Sequence, residues 1–396
     1  MKILTVCQYY RPEPFRVSDI CEALAEAGHE VTVVTGLPNY PEGEVYPGYE
    51  HAAGRDETVG GVRVHRCALH PRKRGALHRF WNYYSFVASS TRYLSGLQED
   101  FDVVFVNQLS PVMMAQGALR YAKKHGKKTV LYCLDLWPES LTAGGIRPGS
   151  LIYRVFLGIS RRIYRAADEI LVTSRGFIPY FRDVLGLDTG KLRYLPQYAE
   201  GLFSDIPPVA PHGGPYHFLF AGNIGEMQSV DTILAAAREL EGSAGVHIDI
   251  VGDGSDLSRC RELAKDLSNV TFHGRHDVGE MPGFYQRADA MLVTLKDEPS
   301  ISQTLPGKVQ SYLAAGRAVV GAINGETAAV IDAADCGVCV PAEDAHALAE
   351  QLRALAETPE RFAVYGANAR RFYEENFQKE AFLAVLTEAL QRNAAP

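Results

Sequence analysis

Short apolar runs alternate, from one end of the chain to the other, with stretches in which apolar residues return every three or four positions. Residues 3–7 (ILTVC) form one such run. Val17, Ile20, Cys21 and Leu24 then recur at helical spacing, Gly28 stops the helix, and residues 31–35 return as a β-branched strand. The same alternation predicts strands at 103–107, 129–134 and 169–173, with a helix at 112–124. Further strands are expected at 217–221, 246–251, 270–273, 290–295 and 318–321, separated by helices at 230–240, 256–267 and around Lys308. Buried strands set between helices predict parallel sheets covered on both faces.

The pattern stops at IPPVAPHGGP (206–215), a stretch dense in residues that end helices and strands, and restarts at 217. The predicted organisation is α/β: two doubly wound, Rossmann-like domains at 1–204 and 217–375, a linker at 205–216, and a last helix at 376–396 packing back toward the first domain. A length of 396 residues suits two such domains. Doubly wound sheets bind ligands at the carboxyl ends of their strands, so the chemistry is expected in the loops after strands, in a cleft between the domains.

Composition narrows the picture. A hydrophobic content of 46% with 22% charged residues is that of a globular protein, and a net charge of −7 gives no general attraction for nucleic acid. No run of 18 apolar residues occurs, and MKILTVCQYYRPEP lacks the longer apolar stretch of a signal peptide, so a cytoplasmic protein is expected. The seven cysteines are odd in number and scattered; Cys336-Gly-Val-Cys339 has CxxC spacing without a second pair, which favours structural thiols over zinc or redox chemistry.

In the second half, Phe220-Ala-Gly-Asn-Ile-Gly-Glu226 puts Gly222 and Gly225 after a strand and before a helix, where backbone N–H groups can approach an anion. Val251-Gly-Asp-Gly254 repeats the arrangement with Gly252 and Gly254; each loop alone reads equally well as a tight turn. Thr304, Pro306, Gly307 and Lys308 form the entry to a helix continued by Val309, Tyr312 and Leu313. A lysine in a first turn opposes the helix dipole, and an anionic ligand would relieve the conflict; a solvated surface lysine is the plainer reading.

The order FAGNIGEMQSVDTILAAA, IVGDG, FHGR, RADAMLVTL, LPGKVQSYLAAGRAVVG, GETAAVI, CGVCVP, with AEAGHEVTVVTG near the start, resembles the family 4 glycosyltransferases of the two-domain GT-B fold over nearly the whole chain. Within them, PEPFRVSDI, TGLPNYPEGEVYPGY and DLWPES resemble the WbuB-like N-acetyl-fucosamine transferases of O-antigen and capsule assembly. The resemblance implies a donor site in the second domain and an acceptor site in the first. It also marks departures. Asn223 and Gln228 stand where the family carries arginine and lysine for the donor diphosphate, and Gln303 and Ser311 stand where it carries two glutamates for sugar and ribose. Lys308 and the glycine loops are then expected to hold the diphosphate of a UDP-sugar, with no metal needed for catalysis and no other cofactor. Arg275 falls where the family meets the nucleobase; a surface arginine is the alternative.

In the first half, Tyr9-Tyr-Arg-Pro-Glu-Pro-Phe-Arg16 follows the first strand. Tyr9, Arg11, Glu13 and Arg16 are candidate acceptor contacts, Arg11 and Arg16 for a phosphate, and Glu13 or Asp135 is the candidate base; an ordinary turn with surface charges is the alternative. Between 58 and 98 there is no acidic residue, while Arg63, Arg66, Arg72, Lys73, Arg74, Arg79 and Arg92 are basic. Arg72, Lys73, Arg74 and Arg79 beside Phe80 and Trp81 suit the inner face of a membrane, or else a charged loop before a buried helix. The function expected is transfer of an N-acetylated or 6-deoxy hexose from a UDP-sugar to a polyprenyl-diphosphate-linked saccharide, retaining by resemblance. The alternatives are a UDP-sugar epimerase of the same fold and a non-catalytic nucleotide-binding relative.

Overall fold

A computed structural model describes residues 1–73, 75–242 and 245–394. The chain divides into two compact units. Unit 1 takes residues 1–173, 177–195 and the chain from Leu383 onward; unit 2 takes 174–176 and 196–382.

Unit 1 is built on an eight-stranded sheet in the order β3-β4-β2-β1-β5-β6-β7-β8. Its strands are β1 (Lys2–Val6), β2 (Glu30–Gly36), β3 (Asp56–Val59), β4 (Val62–Cys67), β5 (Val103–Gln108), β6 (Thr129–Cys133), β7 (Glu169–Val172) and β8 (Leu192–Tyr194). All pairings are parallel except β3 with β4. The central strands are buried along nearly their whole length, because α1 (Arg16–Glu26), α2 (Ala76–Gly96), α3 (Gln116–His125) and α4 (Leu151–Ala166) cover the sheet. The β3–β4 hairpin is absent from the expectations above, yet its signal is present. Gly60 and Gly61 both take positive φ (55° and 77°), as a two-residue turn requires, between the two strands.

Unit 2 has a six-stranded, wholly parallel sheet in the order β11-β10-β9-β12-β13-β14. The strands are β9 (Tyr216–Ala221), β10 (Val246–Val251), β11 (Val270–Gly274), β12 (Ala290–Thr294), β13 (Ala318–Ala322) and β14 (Gly337–Val340). Two doubly wound domains are thus the architecture, as the pattern implied. The helix expected at 256–267 is shorter, Leu257–Leu263, and that at 112–124 opens as a 3-10 turn over Val112–Ala115.

The chain enters unit 2 at Pro196, ahead of the proline-rich stretch, because residues 203–207 are pinned there. Phe203 stacks on Tyr285 with ring centres 4.6 Å apart, and Arg370 bonds the carbonyls of Ser204 and Ile206. Arg317 is 1% exposed and spends its guanidinium on the carbonyls of Tyr285, Gln286, Pro207, Ala315 and Gly316. It thereby ties the end of the Gly307–Ala314 helix to this segment. In the last helix, Lys379–Ala394, Arg392 and Asn393 bond the Glu169 carboxylate of unit 1, which also takes Arg193.

Candidate active site

In unit 2 the loops after β9 and β10 are locked together backbone to backbone. The Gly222 amide donates to Val251 O (2.9 Å), Ile224 N to Asp253 O (2.8 Å) and Asp256 N to Ile224 O (3.0 Å). A Cβ at Gly252 would stand 1.8 Å from Gly222 O, and one at Gly254 would stand 2.2 Å from Ile224 O. These two glycines are therefore required by the close approach of the loops themselves. Gly222 and Asn223 are left exposed above them, and Gly225 is half-buried.

Lys308 comes up beside this surface from the first turn of Gly307–Ala314, whose N-cap is Pro306. Leu305, Val309, Tyr312 and Leu313 bury the helix's other side, and the Tyr312 hydroxyl bonds both N and O of Ala221 at the end of β9. The helix start is thus fixed against the glycine loop. Lys308 Nζ lies 3.0 Å from where a Gly222 Cβ would be, donates to Gln228 Oε1 at 3.0 Å, and sits 4.0 Å from the centre of the buried Phe220 ring. Among the described residues no carboxylate pairs with it, and burial lowers its pKa to about 7. The lysine therefore stands at a helix N-terminus with an amide and an aromatic ring as its neighbours, an arrangement that disfavours its own charge and that a nearby anion would relieve.

Most of the other residues expected to bind the donor flank the same helix. Gln303 has a buried Oε1 without a hydrogen-bond partner, while its backbone is packed against Gly176 and bonded by Ser174. Thr304 O accepts from Thr327, and Ser311 donates to Glu200 Oε2 at 3.3 Å. Glu200 escaped the sequence reading: it lies far from Ser311 in the chain, and nothing local marks it. Arg275, after β11, is exposed. The two thiols of the CxxC are free, and burial pushes both up to about 12, so they stay protonated.

In unit 1 the predicted residues are largely engaged with one another. Glu13 is 1% exposed; its Oε1 accepts from the amides of Asn39 (2.8 Å) and Tyr40 (2.7 Å), while Oε2 is buried without a partner. Burial outweighs those bonds and raises the carboxyl to about 7. Asp135 Oδ2 accepts from the Ser110 amide (3.0 Å) and hydroxyl (2.9 Å), and burial raises its pKa as well. Tyr9 is buried, stacked on Phe15 at 4.7 Å. Arg11 pairs with Glu22 through Nε and Nη2, so it offers no free guanidinium to a phosphate; Arg16 is half-buried at the start of α1.

The basic stretch divides. Arg66 is fully buried, bonded to Glu57 Oε1 at 2.6 Å and to the carbonyls of Gly36 and Arg11, and stacked on Tyr49. Arg63 pairs with Glu99. Arg72 is turned inward and not toward a surface patch: it lies over the rings of Tyr40 (5.5 Å) and Tyr83 (5.8 Å), close enough to Asp135 to favour its ionised form. Asn82, also fully buried, ties Gln8, Asn39 and His70 O together beneath it. Lys73, Arg79, Phe80 and Trp81 are exposed, and Arg74 lies outside the described residues. The chain's one Asp-x-Asp, Asp100-Phe-Asp102, sits at the start of β5; Asp100 pairs with Lys127 and Asp102 takes the Lys2 amide, away from the carboxyl edge.

Two doubly wound domains, each with its loop cluster at the carboxyl edge of its sheet, define the GT-B architecture. Residues 15–197 match a glycosyl transferase 4-like domain and residues 215–358 match the glycosyl transferases group 1. The chain belongs to these glycosyltransferases. WcaI of Escherichia coli K12, named as a colanic acid biosynthesis glycosyl transferase, is 25% identical over 97% of this chain and 98% of its own. Among solved structures, sucrose-phosphate synthase of Thermosynechococcus elongatus (18% identity, TM-score 0.75, 99% and 98% covered) shares the fold. So does Anabaena HepE in complex with UDP and glucose (13% identity, TM-score 0.71, 99% of each chain).

Proposed function

We propose that this glycosyltransferase moves a sugar from a UDP-sugar to a lipid-diphosphate-linked saccharide in the assembly of a cell-surface polysaccharide. The observation that carries the donor half is Lys308. Its ammonium stands at a helix start beside exposed glycine-loop amides, with no carboxylate to neutralise it. A diphosphate placed there receives a charge and fixed N–H dipoles, which stabilise the UDP as it leaves. HepE, of the same fold, was solved with UDP, and WcaI is named for a polysaccharide; both support the reading.

Two of the neutral replacements are compensated by neighbours in this proposal. Gln228 accepts a hydrogen bond from Lys308, and Ser311 donates to Glu200, whose carboxylate supplies an acceptor of the kind ribose hydroxyls need. Gln303 Oε1, buried and unpartnered, suits a sugar hydroxyl. In transfer, the bond from sugar C1 to the UDP oxygen breaks with its electron pair leaving on UDP, the acceptor oxygen bonds C1, and the acceptor proton goes to a carboxylate. Asp135 fits that task better than Glu13: it is half-buried with a raised pKa, whereas Glu13 is closed off beneath Asn39 and Tyr40. Retention, and a donor sugar that is N-acetylated or 6-deoxy as in the WbuB-like transferases, rest on the sequence resemblance.

Attachment to the cytoplasmic face of a membrane is part of the proposal. Leu77, Phe80 and Trp81 are 68%, 46% and 53% exposed at the start of α2, and Leu151, Ile152 and Val155 are 79%, 55% and 54% exposed at the start of α4. Neither helix carries an acidic residue, and α4 carries four arginines. Such faces suit the interface of an anionic bilayer. No described helix is long and apolar enough to cross a membrane.

The test is calorimetric titration of UDP into the wild type and Lys308→Ala, with and without magnesium. Binding lost in the variant supports the donor assignment; binding that survives unchanged removes Lys308 from it.

A further inference from the structure

Away from the carboxyl edge, unit 2 carries a second cluster of chemistry-bearing side chains. His217 on β9 lies in register with His247 on β10, and Asp249, two residues on, is in register with Thr271 on β11. Side chains of a strand alternate between faces, so these four share one side of the sheet. Phe218, Ile248 and Ile250, on the opposite side, belong to the core. The β10–β11 pairing then slips: Val251 pairs with Gly274, whose φ is 79°, and His273 is left as the extra residue of a bulge. The bulge aims His273 at the same carboxylate.

Three imidazoles therefore surround one aspartate. Asp249 Oδ2 lies 2.7 Å from His217 Nδ1, and Oδ1 lies 2.6 Å from His273 Nε2 and 4.0 Å from His247 Nε2. One donor atom each from His217, His247 and Asp249 fall within 4.8 Å of one another. We propose that His217, His247 and Asp249, supported by His273 on the second carboxylate oxygen, bind a divalent transition metal such as zinc. Imidazole and carboxylate are the donors such ions take at neutral pH, at bonds of about 2.0–2.2 Å. Tetrahedral donors then lie roughly 3.3 Å apart, a spacing bracketed by the distances here, so the ion enters by rotation of side chains and not by movement of strands.

The surroundings fit. His217, His247 and Asp249 keep 38%, 24% and 15% of their side-chain surface exposed, which leaves a route for the ion. The His217 backbone is braced from behind, its amide donating to Asp289 Oδ2 at 2.7 Å while the other oxygen of Asp289 takes His212. On binding, His247 Nε2 exchanges its 2.9 Å contact with the Thr271 hydroxyl for the metal. His217 is five residues below Gly222 on β9, roughly 16 Å along the strand, so the site is separate from the donor surface. Its effect falls on the sheet: the ion ties β9 to β10, and His273 carries the link to β11, the edge strand.

The experiment uses the untagged full-length chain, stripped with a chelator and titrated with zinc by calorimetry and with cobalt(II) by visible absorption. One zinc per chain is expected, with a cobalt spectrum free of thiolate bands and a melting temperature raised by zinc. His217→Ala/His247→Ala should lose the zinc-induced shift and about tenfold or more in affinity, whereas His212→Ala should keep both. His247→Gln, which retains a partner for Thr271, serves if the double variant does not fold. Equal zinc binding by wild type and variants, thiolate bands in the cobalt spectrum, or no binding at roughly 100 μM zinc would each overturn the assignment.

Discussion

The loop clusters of the two units are built from the same topology and treat charge in opposite ways. In unit 1 most of the loop charges are answered by the protein, Arg11 by Glu22, Arg66 by Glu57, Glu13 by the amides of Asn39 and Tyr40 and Asp135 by Ser110, with Arg72 between its tyrosine rings as the exception. In unit 2 a lysine is packed against a phenylalanine ring and an amide with no carboxylate beside it. A neutralised cluster is a scaffold that fixes loop shape, while an unanswered cation is an appetite for a ligand. The same fold thus presents a mostly neutralised loop cluster in one unit and, in the other, a lysine without a carboxylate partner, which is where the proposed anion would sit.

The largest effect that would break this contrast is on UDP binding. Lys308→Ala should weaken it by about tenfold to a hundredfold, the worth of one hydrogen bond to a charged group, as read by calorimetry. Glu13→Ala should leave UDP binding unchanged. Its effect belongs to stability: the buried Asn39 amide and the half-buried Tyr40 amide lose their acceptor, and chemical denaturation should show a loss of about 1–3 kcal/mol. If Glu13→Ala folded with undiminished stability, the scaffold reading of unit 1 would be wrong.

Proton linkage sharpens the contrast further, because the two groups act with opposite sign. Glu13 in the folded chain titrates at about 7, above an unfolded glutamate, so its contribution is full at acid pH and is lost as pH rises through about 7. Lys308 titrates at about 7, below an unfolded lysine near 10.4, so its burial costs stability at neutral pH and the cost is relieved as pH rises. Urea midpoints measured from pH 5 to 10 should therefore fall less steeply below pH 7 in Glu13→Gln than in the wild type, and rise less above it in Lys308→Met. The smallest effect on the fold is expected from Phe80→Ser/Trp81→Ser. Both side chains are half exposed, so stability should hardly change, while co-sedimentation with anionic liposomes should drop.

The strands were readable because they are buried on both faces, which forces an uninterrupted apolar run such as 103–106. The edge hairpin β3–β4 is half solvated, carries Asp56, Glu57, Arg63 and Arg66, and leaves only the Gly60-Gly61 pair as its mark. Lys308 was readable for a different reason: a lysine in the first turn after Pro306 contradicts the helix dipole in plain sequence.

By itself, then, the sequence determined the alternation of strand and helix, the two doubly wound domains, the glycine loops and the misplaced lysine, because each follows from neighbours within a few residues. Tertiary structure alone decided which charges are free. Arg66 and Arg72 look like companions of Lys73 and Arg79 in a basic run, yet one is sealed against Glu57 and the other lies between tyrosine rings. Glu200 meets Ser311 across 111 residues of chain, and Gln228 meets Lys308 across 80. Periodicity reports what a residue shares with its neighbours along the chain; whether its charge is answered depends on partners that only the folded sheet brings within hydrogen-bonding distance.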